Sequence, residues 1–218
     1  MPARLRPTAP FAADAVLVGD PGRALLLAQE LLEQPKMSNH ARGLWGYSGR
    51  TPAGDELSLQ STGMGGPSAA LVLADLAELG LRRAVRVGTC SALRAEVGLG
   101  QLIVVSEAVG WPGTGPGDGV ARPDPGLTAR LLAALGNGAS SGPVASLDTL
   151  PVGGEAEGPA AVADMQTATV LGRGRELGVE LAAVLIVATA TNGEELEDKS
   201  AAASAKRAGA AARVALSG

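Results

Sequence analysis

The chain has 218 residues with 22 acidic against 18 basic side chains, a net charge of −4, one cysteine and 2% aromatic residues. A negative balance argues against a nucleic-acid or acidic-membrane partner, which needs clustered, uncompensated positive charge. With Cys90 alone no intrachain disulfide can form, which excludes a secreted disulfide scaffold, and packing is the role expected of that thiol.

The length suits one domain, residues 1–218, able to bury roughly 70% of its unfolded surface. The amino terminus, Met-Pro-Ala-Arg-Leu-Arg-Pro, lacks the apolar stretch of a signal peptide. The apolar run at residues 181–190 is about half the ~20 residues of a membrane span. A cytoplasmic location is therefore expected.

Residues 14–18 read as a short apolar strand. The turn Gly19-Asp20-Pro21-Gly22-Arg23 follows, with Asp20 as helix N-cap and Pro21 as first helical residue. The helix then covers residues 24–33, and Pro35 stops it. The turn is open to two readings: a capped β-to-α connection without a ligand, or an anion seat where Arg23 and free helix N–H groups meet a negative group. Residues 37–54 read as loop around Trp45 and Tyr47. The single histidine, His40, has no second ligand within sequence reach and makes a poor metal site. Residues 56–62 alternate as a strand. Gly63-Met64-Gly65-Gly66-Pro67-Ser68 breaks that strand and opens a helix at Pro67 that ends at Gly80.

The stretch 83–93 holds the anomaly of the chain. Val85-Arg86-Val87 is a β-branched run with a charge inside it, whereas strands covered by helices on both faces are nearly all apolar. Arg86 needs an anionic partner or a mouth open to water. Gly88 and Thr89, where the strand is expected to end, fall where ligands sit in open α/β sheets. A strand at 102–109 precedes a Gly- and Pro-rich surface loop, 111–126, that is either functional or mobile. There follow a helix at 124–135, a polar link at 136–142, a strand at 143–147, a loop at 149–159 and a strand at 161–165. A helix at 166–177, a strand at 180–191 ended by Asn192-Gly193 and an alanine-rich helix at 196–216 complete the order. Such alternation is the pattern of a mostly parallel sheet covered on both sides. Neither a Walker A nor a dinucleotide glycine motif occurs in a strand-to-helix turn, so no nucleotide cofactor is indicated.

Three segments, taken together, resemble one family. They are Val18-Gly19-Asp20-Pro21-Gly22-Arg23, Ser61-Thr62-Gly63-Met64-Gly65-Gly66-Pro67-Ser68 and Val85-Arg86-Val87-Gly88-Thr89-Cys90. In order and spacing they are similar to the nucleoside phosphorylases, the family of hexameric purine nucleoside phosphorylases and uridine phosphorylases. The likeness continues through Asp164-Met165-Gln166 to the last helix. It implies an α/β, three-layer fold whose central sheet, mixed but mostly parallel, is partly closed into a barrel and flanked by helices. It also implies phosphorolysis, in which inorganic phosphate, a co-substrate rather than a cofactor, attacks the anomeric carbon of a nucleoside. By that resemblance Gly19, Arg23, Arg86 and Thr89 would hold phosphate, with Arg42 reaching in from a neighbouring subunit of a homodimer or homohexamer. Met64, Thr89, Cys90, Leu150, Asp164, Met165, Gln166 and Asn192 would line the nucleoside. Arg86 and Asn192 would act closest to the reacting bond, and no metal is implied.

The chain departs from the family pattern at the sugar and base. Where the family has Glu-Met-Glu it has Asp164-Met165-Gln166, so a neutral hydrogen bond of ~0.5–1.5 kcal/mol replaces one of ~1.5–3 to a charge. Where purine-specific members carry an aspartate that protonates the leaving base, Asn192 can hydrogen-bond but cannot serve as general acid, a role worth ~10²–10⁴-fold. The Gln and Arg that recognise uracil are not evident in residues 150–157, and Arg4 lies near the place of an amino-terminal histidine. Purine phosphorolysis is the expectation. A uridine phosphorylase, a nucleoside hydrolase of the same superfamily and a catalytically weak nucleoside-binding homologue are the alternatives.

Overall fold

The computed structural model describes residues 4–110, 119–149 and 158–217. Its elements, in chain order, are β1 (Asp14–Val18), α1 (Pro21–Leu31), β2 (Glu33–Asn39), β3 (Gly46–Arg50), β4 (Glu56–Ser61), α2 (Gly65–Glu78) and β5 (Arg83–Ala92). After these come β6 (Leu102–Gly110), β7 (Val120–Ala121), α3 (Pro125–Leu135), β8 (Ala139–Ser146), β9 (Val162–Asp164), α4 (Thr167–Leu177), β10 (Glu180–Thr189) and α5 (Asp198–Leu216). Local chemistry sets the helix starts. Asp20 accepts from the Arg23 N–H at 2.7 Å and Asp124 from the Leu127 N–H at 2.8 Å, each one residue ahead of a proline.

Strand β5 joins the two halves of the sheet. It lies parallel to β1 over Arg83 to Arg86 and parallel to β10 along most of its length, and its far end, Ser91 and Ala92, pairs antiparallel with β9. Strand β9 pairs with β8, β8 with β6, and β6 with β10, so these five strands close a barrel. Strands β1, β4, β3 and β2 continue from β5 as an open wing. The long ladders, β5–β10 and β6–β8, are parallel, while β2–β3–β4 and β6–β10 are antiparallel, so the sheet is mixed and partly closed.

Alternate residues of each strand feed opposite faces. Val16, Val85, Val104, Val184 and Ile186 pack with α1, α3 and α5, and Leu17, Ala84, Cys90, Leu185 and Val187 pack with α2 and α4. Small side chains bring the helices close in a core nearly without rings: α5 buries Ala205, Ala208, Ala211, Ala212 and Ala215.

Three expectations are corrected. Residues 37–54 are not all loop: β2 and β3 form an antiparallel pair there, and α1 ends at Leu31. Pro35 lies within β2, which is tolerated because β2 is the outermost strand of the wing. Strand β5 does not end at Gly88 but runs to Ala92, because barrel pairing with β10 and β9 takes up its backbone. Strand β8 starts at Ala139 rather than at 143, its serines accommodated on an exposed face. Residues 111–118 of the surface loop, and Leu150 with 151–157, lie outside the described residues.

Candidate active site

The even positions of β5 place Arg86 on the face covered by α2 and α4, where it is 4% exposed. Its charge is met from within the chain. The Nη2 group donates to Asp164 Oδ2 at 3.0 Å, Nη1 to Gln166 Oε1 at 2.7 Å and Nε to Thr167 Oγ1 at 3.1 Å. Three of the five guanidinium N–H donors are thereby used and two are left. Gly88 is what lets the group lie back along the strand, since a Cβ there would stand 2.7 Å from Arg86 Nη2.

Asp164, 1% exposed, is the hub. It also accepts from Ser146 Oγ and Thr167 Oγ1, both at 2.6 Å, and from the Thr167 N–H at 3.1 Å. Ser146 Oγ in turn accepts from the Ala168 N–H at 2.9 Å, so the first turn of α4 is capped by these two side chains. A buried pair this fully hydrogen-bonded recovers much of its desolvation cost.

Gln166 ties this hub to the ends of β1 and β4. Its Oε1 lies 3.1 Å from the Thr62 hydroxyl, which is also 3.0 Å from the Val18 carbonyl, and its Nε2 donates to the Gly63 carbonyl. A Cβ on Gly19 would meet Gly63 O at 3.5 Å and Gln166 Oε1 at 4.0 Å, so the β1–α1 turn, the glycine loop and the start of α4 converge. Gly63 has φ +73°, a conformation costly for residues with a Cβ. The helix α2 that follows has no side-chain cap at Met64, and Met64 is 86% exposed.

Arg23, on the first turn of α1, is half-buried. Burial pushes its pKa below the ordinary arginine value; Asp20 opposes the shift and Arg86 adds to it. The charge of Arg86 is near enough to act on Arg23, and among the described residues no carboxylate forms an ion pair with it. Two guanidiniums whose charges act on each other, one of them without an ion-pair partner among the described residues, are a pairing that suits an anion.

The remaining residues picked from the sequence are distributed differently. Thr89 is half-exposed further along β5, and Met165 is half-buried beside the hub. Cys90 is sealed in the core with its thiol 3.6 Å from the Ile186 carbonyl; burial foremost, then Asp164, pushes its pKa up, with Arg86 opposing. Asn192 is exposed after β10, where its Oδ1 accepts from the Glu194 N–H at 3.0 Å. Arg42 is exposed on the short 3-10 turn Ala41–Gly43, and no hydrogen bond or ion pair among the described residues joins it to Arg23 or Arg86. Arg4 turns inward to Asp75, with Nη1 3.2 Å from Oδ1. Sequence reasoning missed Thr62, Ser146 and Thr167. Thr167 was within reach of it, since Asp164 stands three residues ahead, at the spacing of a helix cap. Ser146, on a distant strand, carried no such signal.

The chain is similar to known proteins to different extents. A purine nucleoside phosphorylase from Toxoplasma gondii, solved in complex with immucillin-H, superposes with a TM-score of 0.82 over 95% of this chain and 93% of that one, at 21% identity, which establishes the fold. The DeoD-type purine nucleoside phosphorylase of Oceanobacillus iheyensis is 40% identical over 98 residues, 44% of this chain and 41% of that protein. The corresponding protein of Haemophilus ducreyi is 36% identical over 103 residues, 47% of this chain and 43% of that one. Each match thus spans less than half the length of the curated relative. The model of the phosphorylase superfamily matches residues 14–217, from the first strand to the last helix, and the chain belongs to that superfamily.

Proposed function

We propose that the chain catalyses phosphorolysis of purine nucleosides, giving free base and (deoxy)ribose 1-phosphate, with inorganic phosphate as co-substrate and no cofactor. The observation that carries this reading is Arg23, half-buried near Arg86 and without an ion-pair partner among the described residues. Phosphate at neutral pH carries about −1.5 to −2, and it would take the Arg23 fork, the two spare Arg86 donors, the Gly19 backbone and the Thr89 hydroxyl. Asp164 holds the Arg86 guanidinium in one plane. Within one copy the charges of Arg23 and Arg86 are offset by Asp20 and Asp164, so a dianion calls for a further cation. In a homodimer or homohexamer Arg42 of a second copy supplies it.

A phosphate oxygen then bonds to the anomeric carbon as the carbon–nitrogen bond breaks and its electron pair leaves with the base. The dianion stabilises the positive charge that develops on the sugar between these events. Met64, Met165 and Gln166 border the sugar, and Asn192 hydrogen-bonds the leaving base. The similarity to purine-specific relatives favours purine over uridine substrates. A cytoplasmic location belongs to the same reading.

A nucleoside panel assayed with and without phosphate tests the proposal. Base released only with phosphate, as pentose 1-phosphate and faster from purines, is the expected result. Free pentose as product would make the protein a hydrolase instead. One observation favours a second reading, a nucleoside-binding protein with little turnover: both ends of the Gln166 amide are committed inside the protein. Calorimetric binding of a nucleoside without turnover would decide for it.

A further inference from the structure

The turn carrying Arg42 is held in an unusual way. Arg42 has φ +58° and ψ +21°, a left-handed conformation that a residue with a Cβ adopts only where its surroundings enforce it. The enforcement comes from inside. The Leu44 N–H closes the turn on the Ala41 carbonyl at 3.1 Å, and the Leu44 carbonyl accepts from Asn39 Nδ2 and from Gln60 Nε2 at 3.1 Å, so both its lone pairs are filled by buried amides. Asn39 Nδ2 also lies 3.5 Å from the Ala41 carbonyl, and its Oδ1 accepts from the Arg6 N–H at 2.8 Å. Gln60 donates as well to the Ser61 carbonyl at 2.9 Å. Gly46 keeps this space clear, since a Cβ there would stand 3.0 Å from Ser38 Oγ and closer still to Gln60.

We infer that Asn39 and Gln60 are positioning residues: they clamp the turn 40–44 from beneath so that Arg42 is presented outward in one geometry. Leu44 at the end of the turn packs in the core, but Arg42 is exposed and without an ion pair or side-chain hydrogen bond among the described residues, so no contact inside the copy accounts for its own conformation. A guanidinium fixed before its anion arrives loses less side-chain freedom on binding. The inference rests on the reading that Arg42 contributes to a phosphate seat. It adds two residues, from the end of β2 and from β4, that touch neither phosphate nor nucleoside.

The test is a double-mutant cycle on the full chain with Asn39→Asp and Arg42→Ala. Asn39→Asp keeps the acceptor for Arg6 and loses the donation to Leu44. Thermal unfolding confirms that each variant is folded, and Asn39→Ser replaces Asn39→Asp if it is not. Asn39→Asp is expected to raise KM for phosphate roughly tenfold, about the loss of one to two hydrogen bonds in affinity, with a smaller change in KM for nucleoside. In the Arg42→Ala background it should add almost nothing. Multiplicative effects, or an unchanged KM for phosphate in either single variant, overturn the clamp while leaving phosphorolysis intact. If the wild type shows no phosphate-dependent turnover, the proposed function fails on its own, and the same cycle is read from calorimetric affinity for inorganic phosphate. No phosphate binding by the wild type overturns both.

Discussion

Replacing Asp164 with Asn removes one charge of a buried pair while conserving side-chain shape. Asp164 Oδ2 lies 3.0 Å from Arg86 Nη2, with the two side chains 1% and 5% exposed, so the guanidinium left behind has little access to water. Nor does the amide fit the donors around it. One oxygen receives Ser146 and the other receives Arg86 and Thr167, so the new NH₂ either faces the Arg86 donor or obliges the Ser146 hydroxyl, which now donates, to accept instead. Leaving a buried charge unpaired costs about 3–5 kcal/mol, a large part of the ~5–15 kcal/mol that holds a domain together. For a chain of this length that corresponds to a fall in Tm of about 6–20 °C. Urea unfolding followed by tryptophan fluorescence measures the loss directly, and an Arg86→Met background tests its origin. There the carboxylate of Asp164 is itself the unpaired charge, so its neutralisation should cost little or even stabilise. A loss below about 1 kcal/mol in the first background, set against the 3–5 expected, or equal losses in both, would refute the reasoning.

Gly88→Ala brings a Cβ to 2.7 Å from both Arg86 Nη2 and Leu185 Cδ2. It should cost about 1–3 kcal/mol by overpacking and raise KM for phosphate more than it lowers kcat; an unaltered KM means the guanidinium does not serve the anion. Asn192→Asp should raise turnover on purine nucleosides, toward the ~10²–10⁴-fold scale of general acid catalysis, and make that gain fall away as pH rises through the pKa of the new carboxyl group. Equal or lower turnover counts against a leaving-group role. Cys90 gives a stability prediction with a defined sign. Burial raises the folded thiol pKa above the unfolded value near 8.5, so its contribution is complete below about pH 8.5 and declines as pH rises further. The urea midpoint should fall between about pH 8 and 9.5 in the wild type and fall less in Cys90→Val, below the range where Tyr47, also raised by burial, begins to titrate; parallel slopes in the two proteins contradict the assignment.

The elements most legible in the sequence were those with local causes. Strand β1, the Asp20 cap and the stop of α2 at Gly80 follow from residues within one turn of the event, so a linear reading suffices. Arg86 was legible as an anomaly for the same reason, a charge inside an apolar run. Its partner was not, because Asp164 is 78 residues away and is brought alongside only when β5 meets β9 in the closing barrel. Strands β2 and β3 were hidden because an edge pair need not be apolar, and Pro35 argued against them until the tertiary arrangement put it at the rim. The backbone conformation of Arg42 likewise depends on two amides from separate strands. Local propensity therefore determined where most segments begin and end. Only the three-dimensional packing, by bringing distant donors and acceptors within hydrogen-bonding range in a space closed to water, decided which charges are neutralised internally and which remain available to a ligand.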